Sequence, residues 1–126
     1  MLREQMTGFL TLAGQTYAAL TTFRKDGQPV SVTVWFAQDG DRIYVALASG
    51  TEAVNHVHSN AQVEIAPCNE RGETRGAPIE AMAVVLPEAK NAVARNCLNH
   101  KYGWQRRLRD LLPLGVKTVY LEITAM

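Results

Sequence analysis

The sequence predicts a mainly β protein, a small closed or split antiparallel barrel of six strands with short flanking helices. The first observation is that apolar and polar residues alternate along most of the chain, which is the period of a strand. The second is an Asp-Gly pair at two places between alternating runs, a strong signal for a β-hairpin. A chain of 126 residues with 47% apolar content can bury one sizeable core. Residues 1–126 therefore read as a single domain without a linker, repeat or low-complexity segment.

The first three strands lie in the segment YAALTTFRKDGQPVSVTVWFAQDGDRIYVALA, with turns at Asp26-Gly27 and Asp39-Gly40. One face of the second strand is apolar and should point into the core: Val30, Val32, Val34 and Phe36. Its other face mixes hydroxyls, an indole and small residues: Ser31, Thr33, Trp35 and Ala37. In the third strand, Tyr44, Ala46 and Ala48 lie opposite the apolar face. We expect these second faces to meet solvent, a ligand or another subunit.

The later elements are shorter and follow one another without a long gap. TEAVNHVHSN predicts a short helix, QVEIAP a fourth strand, CNERGETRG a polar loop, and APIEAMAVVL a fifth strand that ends at Pro87. PEAKNAVARNCLNHKYG predicts a helix that ends at Gly103, with an apolar stripe of Ala89, Ala92, Val93 and Cys97. WQRRLRDLLPLG predicts a second helical piece, and KTVYLEITA the last strand. We expect the six strands to pair in meander order.

Charge and cysteine content exclude several classes of function. A formal net charge of +1 gives no electrostatic reason to expect nucleic acid or membrane binding. Cys68 and Cys97 have no metal-binding spacing, and a reduced cytoplasmic chain is the default, although a surface disulfide between them stays open. The N-terminal segment lacks the long apolar run of a signal peptide or membrane helix. His56 and His58 are two residues apart and point to different sides of a helix, so we expect no metal site.

TTFRKDGQPVSVTVWFAQDGDRIYVALA resembles the first three strands of the pyridoxamine 5′-phosphate oxidase-like split-barrel flavoproteins. VEIAPCNERGETRG and KYGWQRRL…KTVYLEIT resemble the branch of that superfamily with deazaflavin (coenzyme F420)-dependent oxidoreductases. The resemblance runs from about Tyr17 to the end of the chain. It implies a six-stranded antiparallel split barrel, a homodimer with two cofactor sites at its interface, FMN or coenzyme F420 as cofactor, and hydride transfer to or from a small-molecule substrate.

Carried over residue by residue, the resemblance implies a set of contacts to the cofactor. Three residues of the second strand would lie against the ring system: Thr33, Val34 and Trp35. The turn after the third strand would lie by the ribityl chain and phosphate: Ala48, Ser49, Gly50 and Thr51. Asn55 and His56 fall on the following helix, where the family usually contacts the phosphate, and Trp104 and Arg106 would lie near the partner's pocket. Trp35 could instead pack in a dimer interface, and the arginines near Arg106 could form a solvated helix face.

The segment LASGTEAVN departs from the family pattern at the helix start. Family members usually have a Lys there, whereas this sequence has Glu52 or, in the ungapped register, Ala53. Helix amides and the Ser49 and Thr51 hydroxyls could still bind a phosphate, but a carboxylate on Glu52 would repel it. In the alternative interpretation Thr51 is an N-cap and Glu52 stabilises its own helix. Both interpretations remain open at the level of sequence, and any anion site here would be poor in cations.

Two classes of function follow. The first is a flavin- or deazaflavin-dependent oxidoreductase, in which the cofactor carries the chemistry and no catalytic acid need be visible in the sequence. The second is a split-barrel binding protein without turnover, with a degenerate phosphate site, that holds a flavin, a haem or another planar ligand.

Overall fold

The structure is a computed structural model, and it describes residue 9, residues 12–102 and residues 117–126. Within these residues the strands are β1 (Tyr17–Phe23), β2 (Pro29–Asp39), β3 (Arg42–Ala48), β4 (Gln62–Cys68), β5 (Ile79–Val85) and β6 (Thr118–Ala125). The helices are α1 (Glu52–Ser59) and α2 (Asn91–Tyr102), with a 3₁₀ turn at Glu88–Lys90 directly before α2. The predicted second helical piece and Gly103 lie outside the described residues.

The six strands close into an antiparallel barrel in the order β1-β2-β3-β6-β5-β4, with β4 paired back onto β1. The predicted fold class is therefore confirmed, but the meander order is wrong at the step from β3 to β4, whereas β4, β5 and β6 still pair consecutively. The chain leaves β3 through α1 instead of a tight hairpin, which frees β4 to pair with β1 on the far side of the barrel. On the edge of β3 opposite β2, β6 pairs with it along its whole length, from Arg42↔Thr124 to Ala48↔Thr118.

The apolar faces that alternation predicted for β2 and β3 point into the barrel interior. Val34 and Phe36 are 3% and 1% exposed, and Ile43, Val45 and Leu47 belong to the same core cluster. Helix α1 closes one end of the barrel, where its buried residues join that cluster: Ala53, Val54 and Val57. This burial is the main source of stability for so short a helix, which would be marginal alone.

A second core lies outside the barrel wall, under α2. Tyr44 is 2% exposed and packs with Ala46 and Tyr120 against Ala94 and Leu98 of the helix. The expectation that the second face of β3 meets solvent, a ligand or another subunit is therefore wrong for Tyr44 and Ala46. Alternation shows which residues share a strand face, but it does not show that a helix distant in sequence covers the second face.

The buried side of α2 also differs from the predicted stripe. Ala94 and Leu98 are fully buried and Cys97 partly so, whereas Ala89 and Ala92 are exposed and Val93 is 54% exposed. The helix begins at Asn91, after the 3₁₀ turn, and not at Pro87. A 3₁₀ turn has fewer residues per turn than an α-helix, so a stripe projected from Ala89 with the α-helical period loses its phase.

Replacing Leu98 by Ala should lower the free energy of unfolding by about 2–5 kcal/mol, because it opens a cavity between α2 and the barrel. Val93→Ala on the exposed side of the same helix should change it by less than about 0.5 kcal/mol. Urea unfolding followed by circular dichroism measures both. Equal losses in the two variants would contradict this orientation of α2.

Candidate cofactor site

The wall of the barrel opens between β2 and β3. Their ladder runs from Asp39↔Arg42 to Phe36↔Val45 and ends there. Beyond that pair, β2 continues to Pro29 paired with β1, and β3 continues to Ala48 paired with β6. The two strands thus diverge, and we call the space between them the β2–β3 gap. The sequence-predicted residues of β2 lie along one side of this gap, and those of the β3–α1 turn lie at the end of the other.

The three predicted residues of β2 do not point to one place. Val34 faces the barrel core, so only its backbone can meet a ligand in the gap. Thr33 and Trp35 face outward and are partly exposed, and the Trp35 ring packs on Tyr17 with 6.5 Å between centroids. A planar ligand along this strand would therefore be bordered by backbone and by the outer side chains.

The polar loop after β4 lies over the outer face of β2. Asn69 organises it, since the Asn69 side-chain oxygen accepts from the backbone amides of Arg71 and Glu73 at 2.9 and 3.0 Å. Gly72 has φ +84°, and a Cβ there would stand 2.9 Å from the Thr33 hydroxyl oxygen. The sequence showed a Gly-punctuated connection, but it gave no signal that the loop contacts Thr33. The loop therefore packs against the Thr33 side chain on the outer face of β2.

Cys68 lies at the start of this loop and is 2% exposed. Burial raises the pKa of the thiol, while a hydrogen bond with Thr33 and the nearby charge of Arg75 oppose that shift. Cys68 is thus a small residue packed at the end of β4. Both cysteines are free thiols, so the disulfide that the sequence left open is not formed.

Two backbone amides of the turn between β3 and α1 already donate hydrogen bonds within the protein. Ser49 N–H donates to the carbonyl of Lys117 at 2.9 Å, and Thr51 N–H donates to that of Ala48 at 3.0 Å. Thr51 occupies the N-cap position of α1, but its side chain makes no capping hydrogen bond. The first amides of a helix have no intrahelical acceptor. The start of α1 therefore retains donors, and Ser49 and Gly50 beside it are exposed.

A cation from the β1–β2 hairpin, Arg24, pairs with a residue in the first turn of α1. The Glu52 carboxylate lies 3.5 Å from the Arg24 guanidinium, which follows β1, and 3.7 Å from Nε2 of His56. On its other side the His56 ring is bonded through Nδ1 to the hydroxyl of the fully buried Thr22 at 2.9 Å. We call these four residues the Arg24 network. It offsets the charge of Glu52, which the sequence alone left without a partner.

Sequence reasoning missed Arg24 because it considered only the cations near α1 in the chain. The signal in the sequence was the position of Arg24 just before the Asp26-Gly27 turn. In the structure its backbone N–H donates to the carbonyl of Gln28 at 3.0 Å, across that turn. Asn55 lies exposed on α1, one residue before the partly buried His56. Trp104 and Arg106 lie outside the described residues.

Two searches bear on other kinds of site. Within residues 12–102 and 117–126, no cluster of three or more His, Cys, Asp or Glu side chains could hold a metal ion. None of the helices in those ranges is long and apolar enough to cross a membrane.

The sequence model of the pyridoxamine 5′-phosphate oxidase family matches residues 2–121. The chain therefore belongs to this family. No curated protein matches the chain at a significant level.

Solved structures show the same fold at low sequence identity. General stress protein 26 from Bacillus anthracis is 21% identical with a TM-score of 0.66, and the match covers 98% of this chain and 88% of that one. An F420 reductase is 19% identical with a TM-score of 0.65, covering 94% and 92%. HutZ, the haem storage protein of Vibrio cholerae, is 14% identical with a TM-score of 0.70, covering 90% and 83%. Because these proteins differ in what their names say they bind or do, the likeness shows the fold alone.

Gly72→Ala should destabilise the protein more than Gly27→Ala, by about 1–3 kcal/mol. Both glycines have a positive φ, +84° and +88°, so both variants carry the conformational cost of a left-handed residue. Only Gly72 also meets Thr33, since nothing lies within 4 Å of a Cβ at Gly27.

Chemical denaturation of both variants, alone and combined with Thr33→Ala, measures the difference. In the Thr33→Ala background the two glycine substitutions should cost about the same. A difference that survives there would mean that the loop does not press on Thr33.

Proposed function

We propose that the protein is a flavin- or deazaflavin-dependent oxidoreductase. It would transfer a hydride between FMN or coenzyme F420 and a small-molecule substrate, with the cofactor bound at the interface of a homodimer. The observation that carries the proposal is the β2–β3 gap, which opens the barrel wall next to the N-terminus of α1 and Arg24.

The gap suits the planar part of such a cofactor. Along Pro29–Trp35, β2 pairs with β1 but not with β3, because the β2–β3 ladder ends at Phe36. The strand backbone of Thr33, Val34 and Trp35 can therefore border a tricyclic ring, as the family resemblance implies. Flat ligands with hydrogen-bonding edges suit such a border, since backbone groups fix their orientation.

The start of α1 suits the phosphate. Helix amides and the hydroxyls of Ser49 and Thr51 supply donors, and the helix dipole favours an anion there. Arg24 supplies the cation that family members usually carry on the helix itself. Glu52 holds Arg24 at the site and also competes with the phosphate for it. We therefore expect the phosphate to bind here, but more weakly than it would without the Glu52 charge.

The bound cofactor would supply the hydride chemistry, and the chain would bind and orient it. Asn55 and His56 would line the phosphate end, and His56 is fixed there by Thr22 and Glu52. Ala48 and Gly50 would give the ribityl chain close access to the turn. No residue of this set needs to act as an acid or a base for hydride transfer itself.

A homodimer would complete the site, with Trp104 and Arg106 reaching the partner's cofactor. Tyr44 no longer supports this assembly, because α2 covers it. Trp35 and Tyr17 still form an outward aromatic pair on β2 and β1. Isologous dimers are the commonest closed assembly, and we expect this pair to pack in the dimer interface. Two free thiols agree with the reducing conditions of the cytoplasm, where we place the protein.

The alternative function is a split-barrel binding protein without turnover that holds a flavin, a haem or another planar ligand. The haem version gains no axial ligand from His56, since both of its ring nitrogens face protein groups. The absorbance of the purified protein tests the haem version, because a Soret band would indicate haem. A protein that binds neither FMN nor coenzyme F420 in titration would overturn the oxidoreductase.

Arg24→Gln should weaken FMN binding by about 1–2 kcal/mol, or about five- to thirtyfold. Glu52→Gln should strengthen it by a similar factor, because it removes the repulsive charge and releases Arg24. Riboflavin, which lacks the phosphate, should bind both variants as it binds the wild type. Titrations followed by flavin fluorescence measure the affinities of the wild type and both variants for FMN and for riboflavin.

Arg42→Gln is the matched control, since Arg42 pairs with Glu122 at 3.7 Å at the opposite end of β3. It should leave the affinity for FMN unchanged. Unchanged FMN affinity in both Arg24→Gln and Glu52→Gln would refute the phosphate site and favour the interpretation in which Glu52 serves only its own helix.

Sedimentation at micromolar concentration should give twice the chain mass of 13.9 kDa. The expected reason is the shared cofactor site, so adding FMN should shift any monomer towards the dimer. A sample that sediments only as a 13.9 kDa species, with and without FMN, would exclude the shared-site arrangement.

A further inference from the structure

Two ion pairs adjoin the turn between β3 and α1. In the first, the Arg24 guanidinium lies 3.5 Å from the carboxylate of Glu52, in the first turn of α1. The second involves Lys117, whose backbone carbonyl accepts from the Ser49 amide of the turn at 2.9 Å. The Lys117 ammonium lies 2.5 Å from the carboxylate of Glu88. Both cations therefore come with a carboxylate.

The charges of these two pairs sum to zero whichever way the side chains turn. The four side chains are between 47% and 75% exposed, so the pairs are weak and their members can change partners. The hydrogen bond between Lys117 and Glu88 raises the pKa of the ammonium and lowers the pKa of the carboxylate, so both stay charged near neutral pH. The positive potential left for an anion is that of the N-terminus of α1, equivalent to roughly half an elementary charge.

The space beside the turn is open. Ser49 and Gly50 are exposed, and a Cβ at Gly50 would meet no atom of the described residues within 4 Å. The described chain therefore leaves room for a group attached beyond a bound phosphate. A phosphate diester has such a group, whereas a phosphate monoester ends at the phosphate.

We propose that this site selects a phosphate diester, which carries one negative charge, over a phosphate monoester, which carries nearly two at pH 7.5. Glu52 and Glu88 determine this specificity, because they offset the two cations that a second ligand charge would need. The inference rests on the proposed function and extends it to the choice of cofactor. It favours coenzyme F420, whose phosphate is a diester, over FMN, whose phosphate is a monoester.

The selectivity arises from the second charge of the monoester. Helix amides and the positive end of α1 can stabilise the first charge. The second charge must lose water beside Glu52, and the two ion pairs supply no net positive charge to offset that loss. We expect this difference to lower the affinity for the monoester by a factor of about five to thirty.

Riboflavin 5′-(methyl phosphate) tests the charge of the phosphate separately from the ring. It has the ring, the ribityl chain and the phosphate of FMN, but its methyl group leaves a single charge. Fluorescence titration of the full-length protein at pH 7.5 should give a dissociation constant at least about five times lower for this methyl ester than for FMN. The same two esters of the deazaflavin nucleoside make the comparison independent of which ring the protein binds.

The preference for the methyl ester should narrow as the pH falls to 5.5. The phosphate of FMN takes up its second proton near pH 6 and then carries one charge, as the methyl ester does at both pH values. The titratable groups of the site face both ligands alike, so their own protonation largely drops out of the ratio: Glu52, His56, Glu88 and Lys117.

Two variants remove the carboxylates and keep the cations. Glu52→Gln and Glu88→Gln should each strengthen the binding of FMN more than that of the methyl ester, because a dianion gains more from each freed cation. The double variant should bind FMN at least as tightly as the methyl ester. Glu80→Gln is the matched control, since Glu80 is exposed at the start of β5 and its carbonyl accepts from the Met126 amide, beyond the end of β6 far from Lys117. It should leave the ratio unchanged.

The outcomes separate this inference from the proposed function. Equal affinities of the wild type for the two esters at pH 7.5, or a preference that survives in the double variant, would overturn the selectivity. Binding of either ester would in that case still support the proposed function. A protein that binds none of the four esters and no coenzyme F420 would overturn the proposed function and this inference with it.

Discussion

The separation of β2 from β3 beyond the Phe36–Val45 pair is the constraint on which the rest of the structure depends. β3 stays paired with β6 on its other edge along its whole length and then enters α1. β2 stays paired with β1 on its other edge as far as Pro29. Within the described residues the barrel thus closes through its other ladders and opens where these two strands diverge. That opening lies beside the start of a helix, where backbone donors remain available.

Electrostatics at this opening arise from residues that are distant in the chain. Glu52 would be unfavourable for an anion at the helix start, and by itself it suggests a site that has lost its cation. Arg24 from the β1–β2 hairpin pairs with its charge, and Nε2 of His56 from the next helical turn lies 3.7 Å from the same carboxylate. The buried Thr22 fixes the other side of the imidazole. The Glu52 carboxylate, which has no partner nearby in the sequence, thus becomes the centre of a polar network that includes the guanidinium of Arg24.

The same barrel presents two chemically different ends. At one end, small residues, hydroxyls and Arg24 surround an open turn, where we propose that the phosphate of a cofactor binds. At the other, α2 covers the outer face of β3 and borders a cavity with both apolar and polar side chains, among them Lys101. Phe36 connects them, because it closes the β2–β3 ladder and also carries the Lys101 contact on its ring. A change in the position of β2 would therefore affect both regions.

The sequence by itself determined the strands, the two hairpins, the family and the segments that border the candidate site. These are local or nearly local properties: alternation defines strand faces, and Asp-Gly defines the turns, whatever lies elsewhere in the chain. Only the tertiary structure decided that β6 pairs with β3, that α2 buries Tyr44, that Arg24 meets Glu52 and that the loop at Gly72 presses on Thr33. Each of these contacts joins segments that are far apart in sequence, and barrel closure brings them together. A single sequence carries no local signal for such pairings, because their energy appears only when the whole core is assembled.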